Sequence, residues 1–150
     1  MRVIMLFCIT IVMFGCKTIE QKKNEEKWDF NKYMMESQNL TSAERYLKSI
    51  DLLKEAAIKF PDGDLMGINY NIGYNYYKLK RYDDANGYFN LVIKSYEEKP
   101  FTDAEKQEYQ KYVILSNIII EKAKKDIEEA KDPYRIKEEM EENRKLRPKK

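Results

Sequence analysis

Histidine is absent from this 150-residue chain, and with it go the commonest general base and the commonest zinc ligand. A serine or cysteine nucleophile would lack its usual activating base. Glycine occurs 5 times and proline 4 times, with no glycine-rich phosphate loop and no run of metal-ligand residues. Charge of one sign is lacking too. The 28 basic residues face 26 acidic ones for a net charge of +2, too near neutral for a general nucleic-acid surface. Carboxylate pairs such as Asp83-Asp84 and Glu97-Glu98 fall at helix ends or on polar faces, where solvation and a favourable place near a helix start account for them. Nothing marks the dry cleft that acid-base catalysis needs. These absences argue against an enzyme and against any cofactor, metal or small-molecule substrate. What the length allows is one domain with a modest core.

The apolar run Val3–Phe14 is preceded by Arg2 and followed by Gly15 and Cys16. Its twelve residues are too few to cross a bilayer, which takes about 20, so the segment reads as a targeting signal rather than part of the fold. The stretch MRVIMLFCITIVMFGC resembles a bacterial lipoprotein signal, whose box ends in a small residue and then the cysteine. That resemblance implies removal of residues 1–15, lipidation of Cys16 and acylation of the new amino terminus. An ordinary secretory signal or an uncleaved anchor is the alternative. Because Cys8 lies in the discarded part, Cys16 would be the only mature cysteine and no internal disulfide could form. Several acyl chains hold a protein on a membrane firmly. Residues 16–27, with KTIEQKKNEEK after the cysteine, show no apolar period and read as a flexible tether, spanning up to roughly 40 Å when extended.

The domain is expected over residues 28–131 and to be all-α. Trp28, Phe30, Tyr33 and Met34 predict a short helix, and Glu36 to Leu40 break its pattern. Thr41 and Glu44 have the spacing of a capping box, opening a helix whose stripe is Tyr46, Leu47, Ile50, Leu53, Ala57 and Phe60. Pro61 and Gly63 end it. Next come two helices joined at Lys80-Arg81. One carries Ile68, Ile72, Tyr76 and Leu79 on a single face; the other carries Tyr82, Ala85, Phe89, Val92, Ile93 and Tyr96. Small residues at Gly73 and Ala85 let two such helices close on each other. A second capping box, Thr102 with Glu105, opens a long helix with Tyr109, Tyr112, Val113, Ser116, Ile118, Ile119, Ile120 and Ala123 on a broad apolar face. After Asp132-Pro133, the charged tail at 132–150 offers only Tyr134, Ile136, Met140 and Leu146 for contact.

An offset of 36 residues aligns Tyr46 with Tyr82, Leu53 with Phe89, Ala56 and Ala57 with Val92 and Ile93, and Phe60 with Tyr96. Ile72, Gly73, Tyr76, Tyr82, Ala85 and Phe89 resemble the tetratricopeptide repeat in type and spacing. That resemblance implies antiparallel helical hairpins stacked as a superhelix, with Asn69 and Val92 departing from the pattern.

Tyrosine is in excess, with 12 in the chain and five from Tyr70 to Tyr82. Tyr70, Tyr74, Tyr77 and Lys78 fall on the flank opposite the buried face of their helix, with Asn71 beside them. In repeats of this kind the corresponding positions line a groove for extended peptides or partner helices, and tyrosine suits such a surface. Packing against a neighbouring helix is the plainer account of each ring. A signal cysteine, a tether and KFPDGD ahead of the repeat together resemble the lipoprotein subunit of the outer-membrane barrel assembly machine. That implies a scaffold on the periplasmic face of the outer membrane, holding a partner such as the machine's barrel subunit. A lipid-anchored adaptor of another envelope complex, or a peptide-capturing lipoprotein serving a transporter, are the other expectations.

Overall fold

The structure, a computed structural model, describes Ile19 and residues 27–131. The leader, Cys16, most of the expected tether and the tail at 132–150 lie outside the described residues. Asp29 accepts a hydrogen bond from the Lys32 amide at 2.8 Å and so opens the first helix, α1 (Phe30–Ser42). It is followed by α2 (Tyr46–Lys59), α3 (Leu65–Lys78), α4 (Tyr82–Glu98) and α5 (Asp103–Lys131). The described chain is all-α, with no strand among the described residues.

Helices α1 and α2 run antiparallel, since the Tyr33 hydroxyl near the start of one donates to Glu55 near the end of the other at 2.6 Å. The α3–α4 pair closes in the same way. Its turn repeats that of α1–α2 residue for residue at the 36-residue offset. Glu44 and Lys80 both take left-handed backbone, with φ of 58° and 59°. The Arg45 amide donates to the Leu40 carbonyl at 2.8 Å, and the Arg81 amide to the Tyr76 carbonyl at 3.0 Å. These bonds satisfy carbonyls that the helix end would otherwise leave open.

Four sequence expectations are corrected here. Helix α1 does not break at Glu36 to Leu40: Ser37 and Leu40 are buried, Ser37 turns its hydroxyl back to the Met34 carbonyl at 2.7 Å, and Gln38 and Asn39 face water. Polar residues there solvate a helix instead of ending it. Thr41 and Glu44 form no capping box, because Thr41 sits in the last turn of α1 and Glu44 in the link. Leu47, expected in the apolar stripe, is 57% exposed, and the buried row of α2 is Ser49, Ile50, Leu52, Leu53 and Ala56. Ile118 is likewise 57% exposed and lies off the packed face of α5. By contrast, Thr102 and Glu105 do cap α5, with the Thr102 amide donating to the Glu105 carboxylate at 2.9 Å. That bond and the Thr102 hydroxyl hold the Glu105 carboxyl below its ordinary range.

Two features set how the hairpins stack. The first is a buried polar knot between α1, α2 and α3. Asn75, fully buried, donates to Ser49 Oγ at 3.0 Å and to the Asn71 carbonyl at 2.9 Å, and accepts from Thr41 Oγ1 at 2.9 Å. Ser49 in turn donates to the Ser37 carbonyl at 2.9 Å. With every member satisfied, the knot fixes the register of three helices. The second is the close approach of α3 to α4. A Cβ at Gly73 would lie 2.8 Å from the ring of Phe89, whose side chain is fully buried.

Gly73→Ala therefore must displace a packed ring, at about 1 to 3 kcal/mol, against a gain of up to about 1 kcal/mol in helix propensity. A methyl at Gly87 meets nothing within 4 Å and gains the propensity alone. Urea denaturation of the two single variants is expected to show Gly73→Ala less stable than wild type by about 1 kcal/mol and Gly87→Ala more stable by a similar amount.

Candidate partner surface

Tyr70, Tyr74 and Tyr77 recur every three or four residues along α3, on the flank away from Ile72 and Tyr76. That flank does not face open water. Helix α5 lies along it, parallel to α3, and two tyrosine–carboxylate bonds mark its ends. Near the start of α3, Tyr112 donates to Asp64 at 3.3 Å, while the other oxygen of Asp64 caps α3 through the Gly67 amide at 2.8 Å. A Cβ at Gly67 would push the Asp64 carboxylate aside and come within 3.0 Å of the Tyr112 hydroxyl, so glycine leaves room for both bonds of Asp64. Near the end of α3, Tyr77 donates to Asp126 at 2.9 Å.

From the Asp64 end the rings form a chain of contacts that runs on to the α4–α5 link. Tyr70 meets Phe89 with centroids 6.0 Å apart and Tyr112 at 5.4 Å. Tyr112 continues to Tyr109 at 6.4 Å, Tyr109 to Phe101 at 5.1 Å and Phe101 to Tyr96 at 6.0 Å. Six aromatic side chains from α3, α4, α5 and the α4–α5 link thus share one seam, at separations where tilted rings attract. Burial, then the neighbouring carboxylate, pushes the Tyr77 and Tyr112 hydroxyls up to about 12. Tyr82, 5.9 Å from Tyr77 by ring centroids, is raised by burial and by the Asp126 charge.

The residues singled out for partner contact are therefore placed unevenly. Tyr70 and Tyr77 are committed to α5, Asn71 donates to the Gly67 carbonyl at 2.7 Å, Tyr74 is half-buried, and Lys78 is exposed. Of the residues singled out for repeat packing, Ile72, Gly73, Tyr76, Ala85 and Phe89 are buried and Tyr82 is half-buried. Cys16 lies outside the described residues. What sequence reasoning did not find is an apolar ridge on the outer side of α5, where Ile114 is 51% exposed, Leu115 40% and Ile118 57%. The signal was present in VILSNIII, which holds more apolar residues than one helix face can bury.

Among the described residues no group of histidine, cysteine, aspartate or glutamate is arranged to hold a metal ion. Nor is any described helix long and apolar enough to cross a membrane. No family model, curated protein or solved structure matches the chain.

The tyrosine clamps carry a pH signature. Their folded pKa values lie above the value of about 10 for an unfolded tyrosine. Their contribution is thus fully present below pH 10 and is lost as pH rises toward 12. Melting temperatures taken from pH 9 to 12 should hold level and then fall beyond about pH 10, and Tyr77→Phe with Tyr112→Phe should make that fall shallower. An equal slope in both proteins would mean that the hydroxyls are not held as described.

Proposed function

We propose that this chain is a lipid-anchored, tetratricopeptide-type adaptor of the bacterial cell envelope that binds a partner protein and serves assembly of outer-membrane β-barrel proteins. It does no covalent chemistry. The observation that carries the reading is the apolar ridge of Ile114, Leu115 and Ile118. Helix α5 follows the second hairpin and packs along α3, the place that the first helix of a third hairpin would take. Among the described residues no further helix follows to cover its outer side. An amphipathic helix of a partner, with apolar residues three and four apart, is the shape that such a ridge takes. The recurrent hairpin turn supports the repeat reading, and the leader sequence supports the anchor.

The tyrosine flank belongs to the interior of the adaptor in this reading, with Tyr74 and Lys78 left at its margin. A photocrosslinker placed at Leu115 or Ile118 in living bacteria is expected to trap one envelope protein, the barrel subunit of the assembly machine if the narrower reading holds. Ile118→Asp should lower co-purification of that protein by about ten-fold or more, the order of a lost anchor residue, while the circular dichroism spectrum stays helical. Radioactive fatty acid should label the wild type and not Cys16→Ala. Absence of any adduct from the ridge would refute the adaptor reading, and absence of label would refute the anchor.

A further inference from the structure

In both hairpins of this fold a helix ends in a short link and the next helix runs back along it. Residues 43–45 join α1 to α2, and residues 79–81 join α3 to α4. Helix α5 ends at Lys131. The next two residues, Asp132 and Pro133, are a cap and a residue suited to the first position of a helix. From there the sequence runs to Arg147 without a glycine or another proline.

The lengths on the two sides of that link match. Ile118 stands thirteen residues before Lys131 and Leu146 thirteen after Pro133, and each span is about 20 Å of helix. A segment that turned back at Asp132 would bring Leu146 level with Ile118. Ile136, Met140, Asn143 and Leu146 are four, three and three residues apart, a spacing that puts them on one side of a helix.

The charges match in the same register. Along the outer strip of α5 apolar side chains give way to basic ones, since Lys122 follows Leu115, and Lys125 follows Ile118, by two turns. Both lysines are exposed. Lys122 lies over the Tyr77 ring, 6.0 Å from its centroid, and has no ion-pair partner among the described residues. Lys125 shares Glu129 at 3.6 Å, an exposed pair that contributes little. The segment after Pro133 has the complementary order, with Glu138, Glu139, Glu141 and Glu142 ahead of Leu146. Glu139 comes level with Lys125, and Glu142 with Lys122.

We propose that residues 133–147 fold back on α5 as the second helix of a third hairpin, with Leu146 seated between Leu115 and Ile118, and cover the ridge until a partner displaces them. The cover stands on length, spacing and charge. Its role as a competitor rests on the adaptor reading above and adds the regulation of that surface. A second copy of the chain is a poorer occupant, because three apolar residues a side fall short of the roughly 800 Å² per partner that a stable dimer buries.

The test uses the full mature chain carrying Glu121→Cys and Asn143→Cys, positions that the same register brings level. A bismaleimide with a reach of about 10 Å, the separation of packed helices, is expected to join them within one chain. Peptide mapping identifies the pair. Joining should be slower by about ten-fold or more after Leu146→Asp, and also after Lys122→Glu with Lys125→Glu. Equal rates in the three proteins, or a link between two chains in place of one within a chain, would overturn the cover. The partner is read separately, with the photocrosslinker at Leu115. Leu146→Asp should raise its adduct several-fold, and an adduct no stronger than before overturns the competition. A cover that forms as described, with no adduct even from the Leu146→Asp chain, would stand while the adaptor reading fails.

Discussion

The ring of Phe89 fills the space that any side chain at position 73 would need, and the rest of the structure depends on that fit. It brings α3 and α4 close enough to bury Ile72, Ala85 and Phe89 together. Burial of those groups removes apolar surface from water at roughly 25 cal/mol per Å², while the left-handed residue at Lys80 lets the chain reverse within a few residues. With one face of α3 fixed in this way, its other two sides are assigned. Asn75 turns to the polar knot shared with α1 and α2, and Tyr70 and Tyr77 turn to α5. A single helix thus sets the positions of the other four.

Two kinds of polar contact complete that arrangement, and they respond to different conditions. The Asn75 knot is uncharged and centred on the buried Asn75, Ser49 and Ser37, so it fixes register without reference to pH or salt. The tyrosine–carboxylate clamps and the cluster of Tyr33, Glu55 and Lys59 are partly open to water. In that cluster Lys59 donates to the Tyr33 hydroxyl at 2.7 Å and pairs with Glu55 at 2.9 Å. Exposed pairs of this sort contribute little on their own. Their value lies in orientation, since they hold aromatic rings whose burial supplies most of the stabilisation.

Much of the fold was legible in the sequence because it rests on local signals. Proline and glycine after Lys59, the Thr102–Glu105 box and the turn at Lys80-Arg81 each mark a boundary through backbone chemistry that neighbours cannot override. The 36-residue offset between Tyr46 and Tyr82 coincides with the first residues of α2 and α4. What was not legible depends on tertiary partners. Glu36 to Leu40 reads as a break by polarity alone, yet Ser37 lies against a helix that brings Ser49 to it. Thr41 has the spacing of a cap, but its hydroxyl is taken up by Asn75, 34 residues away. The tyrosine flank of α3 is polar enough to pass for a groove, and only its tertiary contacts, the Tyr70–Tyr112 ring pair and the bonds to Asp64 and Asp126, show that α5 covers it. The outer ridge of α5 went unseen because periodicity names a buried face without saying how wide it is.

The functional account follows from what this packing leaves over, an apolar ridge on the last described helix. All of it presumes that α3 and α4 meet through Gly73 and Phe89. Nuclear magnetic resonance tests that contact directly in the wild-type protein. Strong cross-relaxation between the Gly73 α-protons and the Phe89 ring, with the α-protons displaced from their random-coil shifts by the ring current, is the predicted result. Random-coil shifts at Gly73 and no cross-relaxation to Phe89 would contradict the account.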